Sequence, residues 1–136
     1  MKQLTREWLN SALDDLAAIE RLKTEQGLSN IVAFHAQQAI EKSLKAIFEE
    51  KGIDFVKTHN LQSLYLKIEN LLPFQVDELI ISELDRLYID SRYPTELGLM
   101  PHGKPGIKEA EAYYLEALRI ESQIEAYLNA PDSSVK

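Results

Sequence analysis

The sequence predicts an all-α protein, an antiparallel up-and-down four-helix bundle with one additional short helix. Apolar residues recur at steps of three and four in five separate segments. This is the spacing that places side chains on one buried stripe of an α-helix. No segment alternates apolar and polar residues as a half-buried strand does. Most connections between the segments are short, which favours antiparallel packing of neighbouring helices.

The first helix is predicted from about Thr5 to Glu25, with Thr5 as its N-cap and Gly27 as its end. The second helix is predicted from about Asn30 to Lys51 and is stopped by Gly52. The residues expected to face the core are Trp8, Leu9, Ala12, Leu16 and Ile19 in the first helix, and Val32, Ala36, Ile40, Leu44 and Ile47 in the second.

A set of polar residues of the second helix falls on another face. They are Gln38, Glu41, Lys42, Lys45 and Glu49. Glu41 and Lys45 are four residues apart with the acid first, an order that stabilises a helix by roughly 0.3 kcal/mol.

Three further helices complete the predicted bundle. The third extends from about Leu61 to Leu72, is capped by Asn60 or Thr58, and is broken by Pro73. The fourth and fifth are predicted at about Gln75 to Arg92 and Ile107 to Asn129. The residues expected to face inward are Leu61, Leu64, Ile68 and Leu71 in the third helix, Val76, Leu79, Ile80, Leu84 and Leu87 in the fourth, and Tyr113, Ala117, Ile120, Ile124 and Tyr127 in the fifth. Residues 1–130 are expected to form a single domain, and residues 131–136 a flexible polar tail.

Composition excludes several classes of function. The chain has no cysteine, which excludes a disulfide framework, a thiolate nucleophile and a zinc–cysteine site. Its formal charge of −7 argues against broad nonspecific binding to nucleic acid, although a local basic patch is compatible with it. There is no apolar signal core and no apolar run of the roughly 20 residues that span a membrane. We therefore expect a cytoplasmic protein with no membrane association.

The end of the fourth helix and the loop after it hold the first candidate site. The Arg92 side chain could bond the last carbonyls of the helix, or it could be a planar cationic donor for phosphate. Tyr93 is either a packed anchor or a ring on which a base stacks. His102 follows in a loop rich in proline and glycine, where it is either solvated or a general acid or base.

Other polar residues give weaker candidates. Lys57 and His59 precede the third helix, where they either order the junction or form a small cationic pocket. His35, Gln38, Lys42 and Lys45 share a helix face that is either solvated or, beside Arg92, a phosphate-sized patch. Asp14 and Asp15 are interpreted as a solvated face. The three histidines lack the close spacing of metal ligands, so no metal or cofactor is expected.

Four blocks of sequence, in this order, resemble the HEPN family over about residues 5 to 125. They are Trp8 with Ala12 to Leu16, Ala36 to Ala46, Lys57 to Leu61, and Ser91 to Pro94. The resemblance implies a bundle of four or five helices that forms an antiparallel homodimer. It also implies a minimal nucleotidyltransferase encoded nearby, with which the protein would form a toxin–antitoxin type of module.

Many HEPN domains are metal-independent ribonucleases in which an arginine is followed, after four to six residues, by a histidine. Arg92 matches the arginine, but Leu97, Gly98 and Leu99 occupy the positions of the histidine. The resemblance therefore implies a toxin-like module that binds its partner and a nucleotide or RNA phosphate through Lys42, Lys45, Lys57, His59 and Tyr93. The alternatives are an endoribonuclease that uses Arg92 with His102 or His59, and a non-catalytic structural dimer.

Overall fold

The computed structural model describes residues 1–55, 57–92 and 104–130, which form α-helices and 3₁₀ turns with no strand among them. The helices are α1 (Gln3–Leu22), α2 (Ser29–Lys51), α3 (Leu61–Ile68), α4 (Glu78–Arg92) and α5 (Ile107–Asn129). A 3₁₀ turn, Gln26–Leu28, precedes α2, and a second, Glu69–Leu71, follows α3. The predicted tail at 131–136 lies outside the described residues.

Contacts between helices establish the up-and-down order of the bundle. The start of α1 meets the end of α2, where the Thr5 hydroxyl donates to Glu50 Oε1 at 2.9 Å. The start of α1 also meets the end of α5, where Arg6 Nη2 lies 2.7 Å from Glu125 Oε2. Because the start of α1 meets both ends, α1 runs antiparallel to α2 and to α5.

The fourth helix runs antiparallel to α5 in the same way. The Asp77 N–H, just before α4, donates to the Glu116 carboxylate at 2.8 Å. Further along α4, Glu83 accepts a hydrogen bond at 2.8 Å from the hydroxyl of Tyr113, which lies nearer the start of α5. The predicted all-α bundle with a short additional helix, α3, is therefore confirmed.

The core is centred on α2, which contacts each of the other four helices. The predicted stripes of α1, α2 and α5 are buried, except that Trp8 and Tyr127 are half-buried. Fully buried aliphatic residues from three helices, such as Leu9, Leu44 and Ile120, meet in one cluster. The chain reverses after α2 at Gly52, whose φ of +68° is the left-handed conformation that glycine adopts without strain.

The predicted ends of α1 were wrong. The helix begins at Gln3, with Lys2 as its N-cap, and ends at Leu22, while Gly27 lies in the following 3₁₀ turn. Thr5 is not a cap but a buried residue whose hydroxyl is satisfied by Glu50. The same carboxylate accepts the Lys2 N–H at 2.9 Å, so a distant residue on α2 fixes where α1 starts.

The predicted start of the fourth helix and the predicted end of the third were also wrong. The side chain of Asp77 accepts hydrogen bonds from the N–H groups of Leu79 and Ile80, so α4 begins at Glu78 rather than Gln75. Leu79 is consequently 70% exposed, and Ile81 packs in the core instead. Leu71, predicted to face inward, is exposed because α3 gives way to the tighter 3₁₀ turn after Ile68. As predicted, Asn60 caps α3 by accepting from the Ser63 N–H.

No helix among the described residues is both long enough and apolar enough to cross a membrane.

Candidate functional site

A buried carboxylate on α2, that of Glu41, organises the loop that carries His59. Glu41 is 4% exposed and accepts hydrogen bonds from Lys45 Nζ at 2.8 Å and from Gln37 Nε2 at 3.1 Å. The His59 Nδ1 lies 3.2 Å from each of its oxygens. A carboxylate is stable when buried only if it is paired and hydrogen-bonded, and these three groups meet that need.

Gln37 of α2, itself bonded by Gln38, holds the backbone of the same loop. Gln37 is 1% exposed, and its Nε2 donates to the His59 carbonyl at 2.8 Å. Its Oε1 accepts from Gln38 Nε2 at 2.7 Å. Because both the ring and the carbonyl of His59 are bonded to α2, the histidine is oriented rather than free in solution.

On its other side the loop is fixed by α4. Asp85 accepts the N–H of Leu61 at 2.7 Å and that of Gln62 at 3.1 Å, so it satisfies the first donors of α3. Burial raises the pKa of Asp85, the two backbone hydrogen bonds oppose that rise, and the nearby charge of Glu41 adds to it. Glu41 and Asp85 therefore bracket the loop between α2 and α4.

Four rings form a row across α2, the loop and α4. The His59 ring lies 5.2 Å from that of Tyr88, centroid to centroid. Tyr88 stacks on Phe34 at 6.2 Å with an interplanar angle of 13°, and Phe34 meets His35 edge to face at 5.5 Å. Arg92 follows Tyr88 by one helical turn in α4, so its Cα continues the same side of the helix. The row therefore connects the loop histidine to the end of α4.

A second buried carboxylate, that of Asp15, holds the other end of the row. It is 7% exposed, and its oxygens lie 2.8 Å from His35 Nδ1 and 2.8 Å from Lys42 Nζ. The prediction that Asp14 and Asp15 share a solvated face is correct for Asp14 and wrong for Asp15. The expectation of solvent also fails for His35 and Lys42, because both are bonded to Asp15 of α1.

The structure brings Lys45 and His59 to one carboxylate, that of Glu41, whereas Lys42 is bonded to Asp15. Lys57 is exposed two residues before His59. Arg92 is the last residue of α4, whereas Tyr93 and His102 lie outside the described residues. Whether these residues bind a ligand stays a prediction.

Sequence reasoning missed several residues of this site, namely Asp15, Phe34, Gln37, Asp85 and Tyr88. Phe34 lies between the buried residues Val32 and Ala36 of α2, off their apolar stripe, which is a signal that could have revealed it. Tyr88 follows Leu84 by one helical turn and therefore fits the ordinary apolar spacing of α4. The role of Asp85 has no local signal, because its partners are more than 20 residues away in sequence. In the described ranges, no group of three or more histidine, aspartate or glutamate residues could hold a metal ion.

A sequence profile of the HEPN domain matches residues 5–120. This chain belongs to the HEPN family. The crystal structure of an archaeal HEPN homologue superposes with a TM-score of 0.69 at 22% identity, covering 95% of this chain and 100% of the homologue. The likeness shows that the two share a fold. No curated protein matches the chain.

On this HEPN bundle, the geometry of His59 suits proton transfer or anion binding. A carboxylate bonded to Nδ1 fixes the ring and leaves Nε2 directed away from Glu41. The imidazole is 55% exposed, so a ligand could reach it, while Glu41 is shielded. A histidine oriented by a buried acid is the arrangement that general bases and acids share.

Proposed function

We propose that this HEPN-family chain binds the phosphate of RNA or of a nucleotide at the face formed by α2, the His59 loop and the end of α4. It would do so as the toxin-like component of a module with a minimal nucleotidyltransferase. The observation that carries the proposal is the contact between the rings of His59 and Tyr88. This contact places an oriented imidazole beside the turn of α4 that ends at Arg92.

Charge balance identifies which cations would serve a phosphate. Lys42 and Lys45 each lie 2.8 Å from a buried carboxylate, so their charges are largely compensated. Lys57 is exposed and the His59 side chain is 55% exposed, so these two, with Arg92 as the phosphate donor predicted from the sequence, are expected to supply the attraction, and the lysine pair would mainly support the site. A guanidinium is suited to this role because its planar donors match two phosphate oxygens.

The binding test is fluorescence anisotropy of a labelled single-stranded RNA, with the melting temperature in the presence of ATP as a second readout. Arg92→Ala and His59→Gln should each weaken binding roughly five- to tenfold, as loss of a phosphate contact of about 1–1.4 kcal/mol does. Lys67→Ala is the matched control, since Lys67 is an exposed cation in the last turn of α3 and outside the proposed phosphate contacts. If RNA and nucleotide both fail to bind the parent protein, the structural-dimer alternative gains support.

The partner proposal needs a separate experiment. Co-expression with a nucleotidyltransferase encoded beside this chain should yield a complex that survives size-exclusion chromatography. Light scattering of the chain alone should give the mass of a dimer. Recovery of the transferase without this chain would contradict the proposed module, whatever the result for RNA.

A second candidate function is metal-independent cleavage of RNA, and the Glu41–His59 contact is the observation that favours it. His59 would accept the proton of a ribose 2′-hydroxyl while that oxygen attacks the adjacent phosphorus, which forms a 2′,3′-cyclic phosphate, and the 5′-oxygen leaves and takes a proton from water. Arg92 would stabilise the charge on the phosphate, and His102 is the alternative histidine. RNA should then be cut in EDTA by the parent and not by Arg92→Ala. Comparison of His59→Gln with His102→Gln identifies the base, and cleavage unaffected by all three changes rules out this site.

A further inference from the structure

A groove beside the ring of Trp8 has a different chemistry from the candidate site. It has a volume of about 390 Å³ and is formed by the first turns of α1, the last turn of α2 and the segment just after α2. Its lining residues are Leu4, Glu7, Trp8, Ser11, Glu49 and Phe55. Leu4, Trp8 and Ser11 are spaced by four and three residues, so they form a stripe of α1 beside its buried stripe.

The aromatic rings of this groove are held in place yet remain accessible. Phe55 stacks on the fully buried Phe48 with centroids 5.9 Å apart and planes at 17°. It also meets Trp8 at 5.9 Å with a tilt of 57°. Phe55 is nevertheless 43% exposed, and Leu4 is 55% exposed. Rings that rest on the core and face solvent lose little entropy when a ligand covers them.

The rim of the groove carries two carboxylates, those of Glu7 and Glu49, and the Lys2 ammonium lies 3.0 Å from the backbone carbonyl of Glu49. Within the described ranges, the side chains of Glu7 and Glu49 form no ion pair or hydrogen bond. A cation already lies over the Trp8 ring, since Lys45 Nζ is 5.5 Å from its centroid. Aromatic faces attract cations, and unpaired carboxylates beside them strengthen the attraction. The groove thus combines an apolar floor with a rim that favours a positively charged side chain.

We propose that this groove docks a basic segment of a partner protein, with an arginine side chain over the Trp8 and Phe55 rings between Glu7 and Glu49, and a neighbouring apolar side chain against Leu4. A basic segment of a partner protein complements the carboxylates of Glu7 and Glu49, and coverage by a second copy of this chain is an outcome of the test below. The proposal does not depend on RNA binding at the face with His59.

Trp8 is the one tryptophan of the chain, so its fluorescence reports on the groove directly. The probe is the capped peptide Ac-Leu-Arg-Leu-Arg-Leu-NH₂, compared with peptides in which glutamine or glutamate replaces arginine. The arginine peptide should change Trp8 emission saturably, and the glutamate peptide should not. The double change Glu7→Gln with Glu49→Gln should weaken binding roughly three- to tenfold, because two exposed charge pairs are lost.

Matched variants separate the contribution of the aromatic rings to peptide binding from that of the carboxylates. Phe55→Ala should weaken the arginine peptide roughly two- to fivefold through loss of a cation–π contact. Glu111→Gln, an exposed acid on α5 outside this groove, should leave binding unchanged. Far-UV circular dichroism checks that each variant is folded. Equal response to the three peptides, or binding unaffected by the changes at Glu7 and Glu49, would overturn the proposal. So would Trp8 emission that depends on protein concentration without peptide, since the groove would then be covered by a second copy.

Discussion

A buried acid on α5 should make the stability of this protein fall as pH rises. Glu121 is 3% exposed, and its Oε2 has no hydrogen-bond partner among the described residues. One turn further along, Glu125 is held by Arg6 through two hydrogen bonds of 2.8 and 2.7 Å. Burial raises the pKa of Glu121 to about 8, and its hydrogen bond to the charged Glu125 contributes to the rise. Arg6 in turn lowers the pKa of Glu125, so the negative charge of the pair stays there.

The sign and size of the effect follow from proton binding. Between about pH 4.3 and the folded pKa, Glu121 is protonated in the folded protein and ionised in the unfolded chain. The contribution of Glu121 to the free energy of unfolding is therefore fully present below the pKa of the unfolded chain, and it is lost as pH rises through the pKa of the folded protein. Each pH unit in this window removes up to about 1.4 kcal/mol from the free energy of unfolding. From pH 5 to pH 7 the loss attributable to Glu121 should reach about 2–3 kcal/mol.

Glu121→Gln tests this account, because glutamine keeps the shape of a protonated glutamate and cannot ionise. The measurement is urea unfolding at pH 5, 6, 7 and 8, followed by circular dichroism and by the emission of Trp8. The free energy of unfolding of Glu121→Gln, relative to that of the parent, should rise steadily with pH. The exposed control Glu111→Gln should have the same pH profile as the parent. Parallel profiles for parent and Glu121→Gln would refute the reasoning, since Glu121 would then have the same pKa in both states.

Three further predictions concern stability. Asp85→Ala should lower the free energy of unfolding by about 2–3 kcal/mol, measured by urea unfolding, because two backbone donors at the start of α3 lose their acceptor. Leu44→Ala should cost about 2.5–5 kcal/mol in the same assay because Leu44 is fully buried, whereas Leu79→Ala should cost under about 0.5 kcal/mol because Leu79 is 70% exposed. Gly52→Ala should lower the melting temperature, at a cost of about 1 kcal/mol, because alanine is strained at a φ of +68°; an unchanged melting temperature would contradict this.

The sequence predicted the helices well because their stripes depend on local periodicity. The bounds of α5 were correct, and α2 began within one residue of its predicted start. Errors fell at helix ends, where a distant partner decides the outcome. Thr5 has the side chain of a good N-cap, but Glu50, 45 residues away, bonds both Thr5 and Lys2 and so moves the start of α1.

The candidate site was harder to predict because its polar contacts join different helices. Periodicity places Lys42 on a face of α2. It cannot show that Asp15 of α1, which is 27 residues earlier in the sequence, lies against that face. The polar face was therefore interpreted as solvated, although two of its lysines are paired with buried acids. His59 was found as a candidate, whereas its orientation depends on Glu41, which the sequence suggested only as a partner of Lys45.

Lys45 connects the two surfaces that we propose as binding sites. Its ammonium is bonded to Glu41, which orients His59, and it lies over the ring of Trp8. The Lys45–Glu41 distance of 2.8 Å is that of a full charge-assisted hydrogen bond, so one side chain supports the buried acid behind His59 and the half-buried ring of Trp8 at the same time. A sequence pattern could not have revealed this double role, because Trp8, Glu41 and His59 come from three separate segments of the chain.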